Sequence, residues 1–319
     1  MNRNFRLVFS PGYDIKFFGI EKQHPFDSCK YGRAWALLRE QFGTALDAVT
    51  IEPNETIGNG DLLLAHTAAY LASLHSPATI AAALELPFAA TIPPFLIAAH
   101  LLRPMRLAVA GTVLAAHAAL EHGAAANLSG GYHHASREKG EGFCLFADVS
   151  VALARLRRDG LLAPGCRILY IDLDAHQGNG VSRDALNAPD LYLVDFFNRT
   201  IYPHDPVARA RVDYPVALVP GTGDDTYLSH LATALTQIEA FIAAHGTFAL
   251  AVYNAGTDPF AGDLLGGLAM TEDGIYRRDC LVMDALRRLA IPAVMLPSGG
   301  YSPQSYQMIA RTVAYLLMR

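Results

Sequence analysis

The sequence predicts an α/β fold built on a mostly parallel central sheet flanked by helices on both faces. Short apolar runs alternate with longer helical patterns, the runs are apolar at consecutive rather than alternate positions, and polar residues gather immediately after them. Strands buried on both faces mark parallel sheets, whose crossovers lay helices over each side. In such sheets ligands bind beyond the carboxyl ends of the strands, so the residues after each run are where chemistry is expected.

In chain order, the β-branched and aliphatic runs fall at residues 7–9, 48–51, 167–173, 191–196, 217–219, 249–253 and 293–296. Helical patterns, many of them Ala-rich, fall at 27–42, 62–74, 104–122, 149–159, 225–245, 271–289 and 303–318. The stretch 101–120 raises the question of a membrane span. Arg103, Pro104, Arg106 and His117 interrupt it, and its uncharged run is shorter than the roughly 20 residues a span requires. A buried core helix is expected there instead. No repeat, low-complexity linker or composition shift divides the chain, so residues 1–319 are expected to form one domain.

With 52% hydrophobic and 17% charged residues there is ample material for a core. A net charge of -5 and a pI near 6.2 give no basic stripe, so direct nucleic-acid binding is not expected. The short pairs Arg157-Arg158, Arg277-Arg278 and Arg287-Arg288 read as solvated helix faces. Cys29, Cys144, Cys166 and Cys280 lie far apart and form no C-x-x-C pair, so neither a disulfide framework nor a thiolate zinc site is expected. Reduced thiols and an N-terminus without a signal-peptide pattern imply a cytoplasmic protein.

Residues 168–180 read ILYIDLDAHQGNG, an apolar strand that runs into Asp172, Asp174 and His176 at alternate positions. A side-chain period of two aims all three to one side, and Gly178 and Gly180 let the chain turn at the strand end. Asp-x-His offers the oxygen and nitrogen donors zinc prefers. By itself it reads equally well as a capping carboxylate with a packed imidazole. The run ending at Asn254 leads into Ala255-Gly256-Thr257-Asp258, a second carboxylate at a strand end. Alone, Asp258 is a helix cap. With Asp174 and His176 it completes a set of two carboxylates and one histidine that leaves a coordination position open, as catalytic zinc needs.

Gly130-Gly131-Tyr132-His133-His134 places two imidazoles after a glycine pair. Imidazoles titrate near neutrality and suit general acid and base work, although a polar loop would look the same. Pro297-Ser298-Gly299-Gly300-Tyr301 presents a tyrosine beyond the last strand. It is either a turn with a surface aromatic or a hydroxyl that donates to a developing oxyanion.

Together these segments resemble the histone deacetylase family, and its class IV branch in particular. FSPGY (9–13), EKQHPFD (21–27), GGYHHA (130–135), GFCLFAD (142–148), IDLDAHQGNG (171–180), YNAGTD (253–258), GDLLGGL (262–268) and SGGY (298–301) follow the family's order across nearly the whole chain. The resemblance implies an arginase/deacetylase-like fold and a zinc-dependent deacylase in which Asp174, His176 and Asp258 hold one Zn2+. It makes His133 and His134 the tandem catalytic histidines, Tyr301 the oxyanion-binding tyrosine and Asp172 the support of His133. Asn179 stands where class I members carry an aspartate behind the second histidine, and class IV has asparagine there. A structural K+ is implied around Asp172, Asp174, His176, Asp195 and Phe196. The substrate tunnel would have Gly142 and Phe143 on one side, Val219 in place of an aromatic opposite, and Leu265 near the entrance. A smaller wall would admit longer acyl chains.

The implied substrate is an acyl-lysine protein or peptide, acetylated or fatty-acylated. A small acylated amine of the acetylpolyamine type is the alternative, and a catalytically weak acyl-lysine binding module is a further one. An arginase-like dimanganese site would need Asp-Ala-His-x-Asp, but Gly178 occupies the last position and Phe260 stands where another bridging carboxylate would fall. One metal is therefore expected. G-x-S-x-G and a P-loop ending are both missing, which disfavours serine hydrolase and nucleotide chemistry.

Overall fold

The computed structural model describes residue 2 and residues 4–319. Its strands are β1 (Phe5–Val8), β2 (Thr50–Ile51), β3 (Ala124–Asn127), β4 (Ile168–Asp172), β5 (Leu191–Asn198), β6 (Tyr214–Leu218), β7 (Leu250–Asn254) and β8 (Ala293–Leu296). They form one sheet in the order β2-β1-β3-β8-β7-β4-β5-β6, with every neighbouring pair parallel. The predicted fold class is the observed one.

The apolar runs have the composition they do because each central strand feeds two cores. Leu169 and Ile171 of β4, with Ala251 and Tyr253 of β7, pack on one face. Ile168 and Tyr170, with Leu250 and Val252, pack on the other. Burying both faces removes alternation from the sequence. Only the edge strand β6 shows exposed positions, and it carries Pro215, which an edge tolerates because one side of its backbone has no partner to bond.

The long helices lie at Lys30–Phe42, Arg103–His122, Asp148–Arg158, Asp224–His245, Glu272–Arg288 and Ser305–Met318, close to six of the predicted patterns. Glu272–Arg288 illustrates the local cause. Thr271 caps it by accepting from the Gly274 amide, Glu272 and Asp273 sit in its first turn, and Arg287 and Arg288 in its last. The helix expected at 62–74 is broken instead into Asn59–Leu62 and Ala68–Ser73, because Thr67 turns its side chain to the Tyr70 amide and starts a new helix. The short turns Pro77–Ala83 and Pro94–Ile97 follow, in a region where no element was expected.

By length and composition Pro94–His122 is apolar enough to cross a membrane, with mean hydropathy 1.2. A core helix passes the same test, and Arg103–His122 buries Met105, Ala108, Val109, Ala115 and Ala119 within the two cores.

Strand order decides where the chemistry falls. β3, β8, β7 and β4 are consecutive neighbours, so the segments after them, 130–134, 298–301, 255–258 and 174–176, emerge side by side. The register sets Asp172 beside Asp195 on one flank and Asn254 on the other.

Candidate metal and catalytic site

Asp174, His176 and Asp258 converge, with one ligand atom from each lying within 4.8 Å of the others and all three residues buried. His176 Nδ1 is 2.8 Å from Asp258 Oδ2 and 3.2 Å from Asp174 Oδ1. The carboxylates are aimed by backbone donors. Gly299 N–H donates to Asp174 Oδ2 at 2.9 Å, and Ala175 N–H to Asp258 Oδ1 at 2.8 Å. Burial and the neighbouring Asp174 push the Asp258 carboxyl up to about 7. Burial opposes a charged His176 ring, but its hydrogen bonds to Asp174 and Asp258 win and push it up to about 10. Crowded carboxylates facing one imidazole nitrogen are suited to a dication of borderline softness, so the residues fit zinc. Among the described residues this is the only cluster of three or more such ligands.

His133 and His134 stand against this trio with ring centroids 4.1 Å apart, and His134 is 6.0 Å from His176. Gly130 and Gly131 place them, with φ of 83° and 79°, a region that favours glycine. A Cβ at Gly131 would also run into Asn254 and Ser298. Asp148 pins the turn by accepting from the Gly131 and Tyr132 amides, each at 2.9 Å.

The two rings have contrasting partners. His133 Nδ1 meets Asp172 Oδ2 at 2.9 Å, and Asp172 also accepts from the Tyr170 hydroxyl and Asn254 Nδ2 at 2.8 and 3.0 Å. Burial disfavours a charged His133, but Asp172 and Asp174 outweigh it and push the ring up to about 9. His134 Nδ1 lies 2.7 Å from Asn179 Oδ1. Burial, together with the neighbouring His133 and His176, holds His134 well below the ordinary histidine range. One imidazole is set to be charged at neutral pH and its neighbour to be neutral.

Tyr301 closes the other side, its ring 5.8 Å from that of His176. Burial and the Asp174 and Asp258 carboxylates push its hydroxyl well above the usual phenol range, so it remains a donor. Two residues that the sequence reading did not single out position it. Asp263 Oδ2 accepts from the Tyr301 amide at 2.6 Å. Lys30, fully buried, donates to the Ser298 and Gly299 carbonyls at 2.7 and 2.9 Å. Burial lowers the Lys30 ammonium to about 8 despite Asp258 and Asp174 nearby. Neither contact has a local sequence signal, since the Lys30 bonds span more than 260 residues.

With this geometry in view, comparison with known proteins is decisive. Residues 24–317 match the Histone deacetylase domain family. Histone deacetylase 2 of Arabidopsis thaliana is 42% identical over 314 residues, which cover 97% of this chain and 78% of that protein. The chain belongs to the histone deacetylase family. Its reaction class is accordingly hydrolytic removal of an acyl group from an amine. The chain is also similar to the acetoin utilization protein AcuC of Bacillus subtilis, 27% identical over 258 residues that cover 75% of this chain and 63% of that protein. The solved structure of an HDAC homolog complexed with SAHA has a TM-score of 0.75 at 22% identity, covering 99% of this chain and 84% of that one. At that identity the likeness concerns the fold.

Of the expected tunnel residues, Gly142 and Phe143 line an apolar cavity of about 130 Å³ that reaches His133, His134 and Tyr301. Phe143 adopts a left-handed φ of 66°, and its ring packs 4.3 Å from His24 and 6.0 Å from Tyr301. Val219 and Leu265 are 46% and 36% exposed and are not among the residues that line this cavity. The cavity runs instead toward Leu84, Leu86, Ala89, Ile92, Leu101 and Met105, in and after the short helical turns. Of the expected cation-site residues, Asp195 and Phe196 lie on β5 beside Asp172. Asp195 accepts from the Gly178 amide through Oδ2, while its buried Oδ1 has no hydrogen-bond partner.

Proposed function

We propose that this family member is a class IV-like, zinc-dependent deacylase of lysine side chains, with zinc held by Asp174, His176 and Asp258. The observation that carries the reading is the pairing of unlike histidine dyads, His133 with Asp172 and His134 with Asn179, against one carboxylate-histidine trio. When bound, zinc supplies Lewis acidity toward the acyl carbonyl and the attacking water. His134, neutral and hydrogen-bonded through Nδ1, takes the proton of that water and delivers it to the leaving amine. His133, charged at neutral pH, steadies the negative charge that develops. Tyr301 donates to the oxyanion. Asn179 in place of a carboxylate supports the class IV assignment.

The acyl chain belongs in the apolar cavity. Away from the reaction centre its lining is apolar, with Leu84, Leu86, Ile92 and Leu101, which suits the methylenes of an acyl chain. We read the preferred substrate as a medium- or long-chain acyl-lysine. A structural K+ beside Asp172 and Asp195 is supported by the unpartnered Asp195 oxygen. Free cysteines fit a reducing, cytoplasmic setting.

Turnover of acetyl-, octanoyl- and myristoyl-lysine peptides and of an acetylpolyamine tests the reading. Octanoyl- or myristoyl-lysine is expected to be turned over best. Highest turnover of acetyl-lysine would refute the chain-length assignment, and preference for the polyamine would refute lysine as the substrate.

A further inference from the structure

The amide of Asn179 has two chemically different ends, and the one turned toward His134 decides what that ring can do. Oδ1 lies 2.7 Å from His134 Nδ1, while Nδ2 donates to Glu141 Oε1 at 2.9 Å. Glu141 is held by cations. Oε1 also accepts from Arg183 Nη1 at 3.0 Å, and Oε2 pairs with Lys139 Nζ at 2.6 Å. Arg183 is itself anchored to Asp205 at 2.6 Å. The segment is pressed against the reaction centre, since a Cβ at Gly142 would run into the His134 ring.

An ionised carboxylate can only accept, so the end of Asn179 that faces Glu141 is the NH2. The carbonyl end is left to His134, and a carbonyl also only accepts. His134 Nδ1 must then carry the ring proton, which leaves Nε2 bare. We propose that Glu141 is a positioning residue for deacylation, fixing the Asn179 amide and, through it, the His134 tautomer whose Nε2 can take a proton. His133 receives its carboxylate directly from Asp172. His134 receives one at second hand, through a neutral amide. Without Glu141 the amide is free to flip, offer NH2 to Nδ1 and move the proton to Nε2, where it blocks base function.

The inference rests on the reading of His134 as the general base, so the experiment separates the two. The zinc-loaded protein is assayed for kcat and KM on an acyl-lysine peptide as wild type, Glu141→Ala, Glu141→Gln and His134→Ala, with both Glu141 changes repeated in an Asn179→Asp background. Glu141→Ala is expected to lower kcat by roughly ten-fold with KM within about two-fold, the scale of losses from such supporting contacts. Glu141→Gln should retain most activity, because Arg183 holds its carbonyl in place to accept from Asn179. In the Asn179→Asp background two carboxylates face each other, so Glu141→Ala should raise kcat. A merely structural Glu141 would give a loss in both backgrounds. Proton NMR of the imidazole N–H supplies a readout without turnover: the His134 Nδ1–H resonance should persist in Glu141→Gln and weaken in Glu141→Ala. An unchanged kcat in Glu141→Ala, or equal losses in both backgrounds with an unaltered resonance, would overturn the inference. Full turnover by His134→Ala would overturn the base reading and with it the catalytic meaning of Glu141, while the NMR result would still report who sets the tautomer.

Discussion

His133 and His134 form an internal comparison from which the effect of one substitution can be worked. Both rings are 3% exposed, and their Nδ1 atoms meet Asp172 at 2.9 Å and Asn179 at 2.7 Å. Burial lowers both. The carboxylates carry His133 up to about 9, while His134 stays well below 6.5. Asn179→Asp gives His134 an anion of its own. Two unit charges about 4 Å apart at an effective dielectric near 20 interact by about 4 kcal/mol, which is about 3 pKa units. Glu141, 2.9 Å from the Asn179 side chain, opposes the new charge, so a rise on the order of one to two units is expected. A base with a raised pKa stays protonated to higher pH. The acidic limb of kcat/KM should therefore move to higher pH in the variant, with activity lost as pH falls through the raised value. The assay is a pH–rate profile of zinc-loaded wild type and variant on one acyl-lysine peptide. An acidic limb that stays in place, or moves to lower pH, would refute the assignment of His134 as the titrating base.

Tyr301→Phe removes an oxyanion donor and should lower kcat by about 10²–10³ with KM little changed, whereas a rise in KM alone would make Tyr301 a binding residue only. Ala89→Phe puts a ring into the lining of the cavity. Octanoyl-lysine turnover should fall at least about ten-fold relative to acetyl-lysine, the order expected for losing about two buried methylenes, and equal losses for both would contradict acyl binding there. Lys30→Met leaves the Ser298 and Gly299 carbonyls without their buried donor and should cost about 2–4 kcal/mol in chemical denaturation, and a stability change near zero would show that water replaces the ammonium.

Legibility followed the range of the forces involved. β4 was readable because its apolar run and the polar residues at its end are local, and alternation alone aims Asp172, Asp174 and His176. β3 was expected only as a short strand-like segment before Gly130, without bounds. Its sequence, Ala-Ala-Ala-Asn, has little intrinsic strand preference, and it is a strand because β1 and β8 pair with it on both sides. The Thr67 break was invisible to apolar periodicity, since it depends on a side chain competing for a backbone amide. The apolar cavity lining from the turns at 77–102 was not readable for a related reason: that stretch lacks any strong pattern, and Leu84, Ile92 and Leu101 meet His133 and His134 only through the tertiary fold. Lys30, Glu141 and Asp263 support the site through contacts 38 to 269 residues away; Asp263 lies within the segment GDLLGGL (262–268), but nothing in the local sequence says which distant group any of the three holds.

The central claim is that a single zinc ion, held by Asp174, His176 and Asp258, is required for amide hydrolysis. The most direct measurement is zinc titration of chelator-stripped protein, with bound metal quantified by elemental analysis and acyl-lysine turnover followed at each point. The account predicts negligible activity without metal, a linear rise to saturation at one zinc per chain, and an Asp258→Asn variant that neither retains the ion nor regains turnover. Full activity in stripped protein, or saturation only at two ions per chain, would contradict it.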